Sequence, residues 1–141
     1  MNKLYEMFKI RIVFAIGAAL GIISIIVPPL CIVDVKVYES PLFPMVRTGI
    51  EGMSLWTLLF LFSSGIFLGV IYPKREILLG ISTMSLFPVL AFLEMGKDPY
   101  SHNIWPIEFV IYGFTTIPGI IGAYAGAFIR KKFIKPPPEL C

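Results

Sequence analysis

Long apolar segments, separated by short polar connections, dominate the pattern of this chain. Four such segments run approximately over residues 10–33, 53–72, 77–95 and 107–129. Each is long enough, or nearly so, to cross a hydrocarbon layer of about 30 Å as a helix that rises about 1.5 Å per residue. The pattern therefore predicts an all-α membrane protein, an antiparallel bundle of four transmembrane helices that forms one domain over residues 1–141. Residues 133–141 contain three consecutive prolines and are predicted to form an extended tail.

The distribution of basic residues predicts how these helices are oriented. Nine of the twelve Lys and Arg residues lie before the first segment, between the second and third, or after the fourth. The two remaining connections contain only Lys36, Arg47 and Lys97, together with six of the nine acidic residues. Since Lys and Arg in short loops are enriched on the cytoplasmic side, we expect both termini to be cytoplasmic. The plasma membrane is the expected location.

Composition narrows the classes of function. The chain is 57% hydrophobic and 15% charged, whereas a soluble domain is about 25% charged. Away from their ends, the four segments contain no Asp, Glu, Lys, Arg or His. Ion carriers and proton pumps place ionisable groups within the membrane, so transport by a single copy is not expected. The charge pattern is explained by topology and by lipid, and no nucleic-acid partner is expected.

The first outer connection has a pattern of its own. Residues 33–38 alternate apolar and polar side chains, and residues 43–47 are able to return beside them, which predicts a small β-hairpin. Four helices with a β-like first outer loop resemble the layout of claudin-like proteins, and Ser54-Leu55-Trp56 is similar to part of their tryptophan motif. The paired loop cysteines of that group are absent from this chain, so the resemblance implies a similar architecture and no shared function.

Small residues at helical spacing predict how the helices pack against one another. Three G-x-x-x-G pairs and one further glycine form these stripes: Gly17 with Gly21, Gly65 with Gly69, Gly122 with Gly126, and Gly119. The alternative is that one of these faces contacts a partner subunit. Pro88 and Pro118 lie inside the third and fourth segments and are expected to kink them, either to open a small cavity or to fit the curvature of the bundle.

Aromatic and ionisable residues concentrate around the last outer connection. Trp56, Trp105 and Tyr112 are predicted to act as interfacial anchors. Four residues, here called the rim group, provide three carboxylates and the chain's single imidazole: Glu94, Asp98, His102 and Glu108. Two interpretations remain open for them, a structural polar cap on the bundle or a site for a cation, a proton or a lipid headgroup. The residues match no metal-ligand spacing and no nucleophile with its base, so we expect no catalytic residue, no metal and no cofactor.

Taken together, these patterns favour a small accessory, structural or interaction subunit within the membrane. Its expected partners are membrane lipid and either another membrane protein or further copies of the chain. The alternative is a functional site at the rim between the third and fourth helices, which would act in a channel formed by several copies or in a membrane enzyme.

Overall fold

The computed structural model describes residues 2–40, 42–100 and 105–133, and these ranges form helices joined by short connections. The α-helices in these ranges are α1 (Asn2–Pro28), α2 (Pro44–Glu51), α3 (Leu55–Ile71), α4 (Glu76–Ser82), α5 (Leu86–Lys97) and α6 (Trp105–Phe133). A short π-helix, Pro29–Val33, extends α1. No β-strand occurs within the described ranges.

Among the described residues, three stretches of helix are long and apolar enough to cross a membrane: Leu4–Val33, Glu76–Lys97 and Pro106–Phe133. A fourth span is complete only if α2 and α3, which meet at an angle of 106°, are counted together. α3 alone is too short to span the membrane, because its 17 residues cover about 25 Å of a hydrocarbon layer about 30 Å thick. The protein is therefore an integral membrane protein with three or four spanning helices.

The predicted β-hairpin is wrong, because its second half forms a helix. Pro44 occupies the first turn of α2, where a missing backbone N–H costs nothing. An ion pair between Arg47 and Glu51, one turn apart, supports that helix. The backbone N–H of Tyr38 donates to the Thr48 hydroxyl at 2.8 Å, so the extended segment is held by a helical side chain and not by a neighbouring strand. The structure therefore lacks the β-like loop on which the claudin-like layout depended.

The third predicted segment is divided into α4 and α5. Pro88 cannot donate a backbone hydrogen bond to the carbonyl of Met84, and the helix is interrupted one turn earlier, at residues 83–85. Two hydroxyls donate to backbone carbonyls of α4 at the start of this break: Ser82 to Leu79 at 2.6 Å and Thr83 to Gly80 at 2.8 Å. The third segment is thus interrupted close to Pro88, as expected. The fourth segment has no such break, because α6 continues past Pro118.

Glycine allows α3 and α6 to approach until their backbones touch. A side-chain carbon added at Gly65 would overlap the carbonyl oxygen of Gly119, and one added at Gly122 would overlap that of Phe62. The other predicted packing glycines also meet neighbouring helices: Gly17 and Gly21 contact the α4 region, Gly69 contacts α6, and Gly126 contacts α3. All three G-x-x-x-G pairs are therefore used in packing within the chain.

The two ends of the helical structure differ in charge, and we call them the basic end and the acidic end. At the basic end, the start of α1, the end of α3 and the end of α6 lie together. There the Tyr72 hydroxyl donates to Glu6 at 3.0 Å, and the Arg130 guanidinium donates to the carbonyl oxygens of Val70 and Ile71 at 2.7 and 2.5 Å. The acidic end is the opposite one, marked by Glu51, Glu94 and Glu108.

Candidate functional site

A cavity of about 260 Å³ lies at the acidic end, between α2, α5 and α6. Most of the residues around it are apolar: Phe43, Val46, Ile50, Met53, Phe87, Leu90, Ala91 and Ile111. Five others bring polar or charged groups: Arg47, Glu51, Glu94, Glu108 and Tyr112. Glu51 and Ile111 are themselves exposed, so the cavity opens to the surface of the protein. We refer to it as the α2–α5–α6 cavity.

The cavity exists because α5 diverges from α6. The preceding helix, α4, packs against α6, with Gly80 directly against Ile120. After the break at residues 83–85, α5 touches α6 at only a few positions, among them the ring pair Phe92 and Phe109, whose centroids are 5.1 Å apart. Apolar residues of α2 and the residues after it fill part of the gap, and the remaining space is the cavity.

Glu94 is the most deeply buried ionisable residue on the cavity wall. Its relative exposure is 3%, and it follows Phe87 and Ala91 along the buried face of α5 at the spacing of one helical stripe. The Ser40 hydroxyl donates a hydrogen bond to the Glu94 carboxylate, and the backbone N–H of Leu42 lies 3.5 Å from the same oxygen. The connection between α1 and α2 therefore supplies donors that make burial of this carboxyl tolerable.

Glu108 approaches the same cavity from the first turn of α6, where a negative charge is favoured by the helix dipole. Tyr112 lines the cavity one turn further along the same helix. The Tyr112 ring packs between Phe87 and Phe109, with centroid distances of 6.1 and 5.7 Å. Glu108 and an aromatic group thus reach the cavity from successive turns of α6.

Arg47 and Glu51 complete the polar side of the cavity from α2. The Arg47 Nε lies 3.0 Å from a Glu51 carboxylate oxygen, and both side chains are partly open to solvent. Counting the ionisable groups on the wall, three carboxylates face one guanidinium. The arrangement can bind a molecule that is mostly apolar and carries a polar or positively charged group at one end.

The structure brings together two of the four rim-group residues. Glu94 and Glu108 both line the α2–α5–α6 cavity. Asp98 instead lines a neighbouring surface depression with Tyr38 and Ser40, and its carboxylate accepts a hydrogen bond from the Tyr100 backbone N–H at 3.0 Å. His102 lies outside the described residues. Within the described ranges, no three His, Cys, Asp or Glu residues come close enough to hold a metal ion.

The predicted interfacial anchors take different positions. Trp56 is 50% exposed near the start of α3, as an anchor at a membrane boundary would be. The side chain of Trp105 lies outside the described part of the chain. Tyr112 is placed inside the protein, with a relative exposure of 4%, because the divergence of α5 leaves room for its ring beside Phe87. Its role here is to line the cavity and not to anchor the chain in lipid.

Sequence reasoning missed the contribution of α2 and of the segment before it. The sequence pattern places Arg47, Glu51 and Ser40 in the first outer connection, whereas in the structure Arg47 and Glu51 line the cavity and Ser40 bonds Glu94. One local signal was present: a proline followed by an Arg and a Glu four residues apart is typical of a helix start with an i,i+4 ion pair. No local signal indicated that Ser40 would reach Glu94.

The polar groups on the cavity wall are three carboxylates, a guanidinium and a phenol. Comparison with models of protein families, with curated proteins and with solved structures found no match for this chain.

Proposed function

We propose that this protein binds an amphiphilic molecule, taken from the surrounding lipid layer, in the α2–α5–α6 cavity. The observation that carries the proposal is the composition of the cavity wall. Apolar side chains of three helices surround a space of about 260 Å³, and the buried Glu94 stands at its polar side. Small-molecule sites are typically apolar clefts with a few well-placed polar groups, and this wall has that composition.

The proposal includes an orientation in the membrane. We propose four spanning helices, with α2 and α3 together forming the second, in the plasma membrane, and with both termini in the cytoplasm. The charge distribution supports this orientation, because nine of twelve basic residues belong to the basic end or to the segments beyond it. The α2–α5–α6 cavity then faces the outer leaflet and receives its ligand from there.

Mass analysis of the protein purified in a mild, uncharged detergent tests the proposal. We expect the wild-type protein to retain a small amphiphile in a stoichiometric amount. Ile111→Trp adds a large side chain to the cavity wall and should abolish this retention. Val110→Trp is the matched control, because Val110 is exposed on the same helix turn and is not part of the wall.

The amount of amphiphile retained by the three proteins decides between two outcomes. Retention in the wild type and in Val110→Trp, with loss in Ile111→Trp, supports the proposal. Equal retention in all three proteins, or no retained amphiphile in any of them, contradicts it. Size-exclusion chromatography of each variant checks that the folded protein is being compared.

An accessory or interaction subunit is the second candidate function. The observation that favours it is the absence of ionisable residues from the middle of the four apolar segments, which leaves a packed bundle without a polar path through it. The G-x-x-x-G pairs do not add support, because they are occupied by contacts within the chain. A protein partner in stoichiometric amount, found in the same purification, would support this candidate.

A further inference from the structure

We infer that a groove between α4 and α6 binds a phospholipid with an ethanolamine headgroup, whose phosphate contacts Arg75 and whose ammonium group contacts Glu76. We call it the α4–α6 groove. It lies at the basic end and shares no lining residue with the α2–α5–α6 cavity, so the inference is independent of the proposed function. It is carried by the apolar wall of the groove, its position in the membrane and two opposite charges at one end of it.

The α4–α6 groove lies beside the close contact of these two helices, where Gly80 meets Ile120. It has a volume of about 340 Å³ and is lined by Arg75, Glu76, Ile77, Leu78, Ile81 and Tyr124. Between Arg75 and Ile81 it follows α4 for six residues, or about 9 Å. Its volume is roughly eleven times the 30 Å³ or so of one water molecule in the liquid, so it takes one end of a lipid and not the whole molecule.

The groove opens towards the hydrocarbon layer. Ile77, Ile81 and Tyr124 are all exposed, and α4 begins the stretch Glu76–Lys97, which is long and apolar enough to cross the membrane. Apolar side chains that face outward from a spanning helix contact lipid chains. Arg75 and Glu76 stand where this stretch begins, at the depth of the lipid headgroups. The occupant that fits both positions is a membrane lipid, with its chain beside Ile77 and Ile81.

Two opposite charges stand at the headgroup end of the groove. The Arg75 guanidinium and the Glu76 carboxylate belong to adjacent residues, whose Cα atoms are about 3.8 Å apart. Within the part of the chain that the structure describes, neither side chain forms an ion pair or a hydrogen bond with another residue. The groove wall therefore has no net formal charge, and it offers one positive and one negative group to a ligand.

An ethanolamine phospholipid carries the complementary pair of charges. Its phosphate accepts hydrogen bonds from a guanidinium, whose parallel N–H groups match phosphate geometry. Its ammonium group, two carbons away, donates N–H groups to a carboxylate. A glycerol headgroup brings no positive charge to Glu76. A choline headgroup has the charge but no N–H to donate, and its methyl groups hold the charge further from the carboxylate.

Quenching of tryptophan fluorescence by brominated phospholipids tests this inference on the full-length protein in vesicles. Tyr124→Trp places a reporter on the groove wall, in a background of Trp56→Phe and Trp105→Phe. The vesicles consist of phosphatidylcholine with an equal fraction of brominated phosphatidylethanolamine, phosphatidylglycerol or phosphatidylcholine. Phe67→Trp in the same background is the control reporter, because Phe67 is exposed near the same end of α3 and does not line the groove. The ratio of affinities at the two reporters removes the general attraction of the basic end for anionic lipid.

We expect phosphatidylethanolamine to bind at the Tyr124→Trp reporter about threefold or more tightly than either other lipid, relative to the control reporter. An exposed charge pair contributes at most about a fivefold factor, and the ethanolamine headgroup can form two such pairs. At the Phe67→Trp reporter we expect no preference for ethanolamine.

The variants are chosen so that folding is not the explanation. Arg75 has a φ of 61°, and asparagine enters this left-handed region more readily than arginine, so Arg75→Asn removes the guanidinium without adding backbone strain. Glu76→Gln keeps the size of the side chain and removes its charge. Each variant should reduce the ethanolamine preference to the level of the control reporter. Lys131→Gln removes a positive charge from an exposed position at the same end, outside the groove, and should leave the preference unchanged.

An ethanolamine preference at the groove that is lost in Arg75→Asn and Glu76→Gln, and kept in Lys131→Gln, supports the inference. Equal affinities for the three headgroups, or the same preference at both reporters, overturn it. A groove that prefers phosphatidylglycerol recognises the phosphate alone, and this result also overturns it. So does an ethanolamine preference that survives both Arg75→Asn and Glu76→Gln. None of these results changes the standing of the α2–α5–α6 cavity, which is tested separately by Ile111→Trp.

Discussion

Ser40 donates a hydrogen bond to the carboxylate of Glu94, and this contact joins two positions that are 54 residues apart in the chain. Through this hydrogen bond, the connection between α1 and α2 contacts the C-terminal turns of α5. Glu94 is nearly completely buried, and helix dipoles disfavour a negative charge at a C-terminus. The donors from the connection therefore compensate for an unfavourable position of this carboxyl group.

Replacing Ser40 with alanine should destabilise the protein. The Glu94 carboxylate would lose its hydroxyl donor while remaining buried, and a buried charged acceptor that loses a partner costs roughly 1–3 kcal/mol. Chemical unfolding in detergent micelles, followed by circular dichroism, measures the change in the free energy of unfolding.

Ser63→Ala is the control for this prediction. Ser63 is exposed, and its hydroxyl donates to the Leu59 carbonyl of the same helix at 2.8 Å. An equal loss of stability in both variants would show that the contact with Glu94 has no special importance.

Replacing Gly122 with alanine should separate α6 from α3. The added methyl group would overlap the carbonyl oxygen of Phe62, which belongs to backbone and cannot rotate away. Overpacking of this kind costs about 1–3 kcal/mol, and it should lower the unfolding midpoint.

Gly113→Ala, in the same helix, should have the opposite effect. Nothing lies within 4 Å of a side-chain carbon built at Gly113. Alanine is favoured over glycine inside a helix by roughly 0.5–1 kcal/mol, so this variant should be as stable as the wild type or slightly more stable. A destabilising effect of the same size at both positions would contradict the close approach of α3 and α6.

Replacing Arg130 with glutamine should loosen the end of α3. The guanidinium of Arg130 donates to the carbonyl oxygens of Val70 and Ile71, which have no partner further along their own helix. Hydrogen bonds to charged groups contribute about 1.5–3 kcal/mol, and the loss should appear as faster amide hydrogen exchange at residues 70–72 and 74–75. Lys131→Gln removes the same charge from an exposed position and should leave exchange at these residues unchanged.

Cysteine labelling tests the proposed orientation. In a background of Cys31→Ser and Cys141→Ser, Lys36→Cys should react with a membrane-impermeant maleimide in intact cells. Lys74→Cys should react only after the membrane is permeabilised. Both positions are exposed in the structure, so a difference between them reports the side of the membrane. The reverse pattern would show that the basic end faces outward, against the charge distribution.

Much of the fold could be predicted because hydrophobic length is a local property. All four predicted segments are mainly helical in the structure, although the third is divided into α4 and α5. The interruption before Pro88 could be expected, since a proline lacks the N–H that its helix needs. The hairpin prediction was wrong because alternation over a few residues is also compatible with an extended segment held by one side chain, as Thr48 holds Tyr38.

Only part of the candidate site could be predicted from the sequence. Glu94 and Glu108 flank one connection, so their positions in the chain are enough to predict two carboxylates at the same end of neighbouring helices. The inward position of Tyr112, and the approach of Arg47 and Glu51 to the same cavity, follow from how the helices pack. These positions depend on the divergence of α5 and on contacts between residues far apart in sequence, such as Ser40 and Glu94. Hydrophobic length and charge are encoded residue by residue, whereas such a contact exists only after the helices have packed.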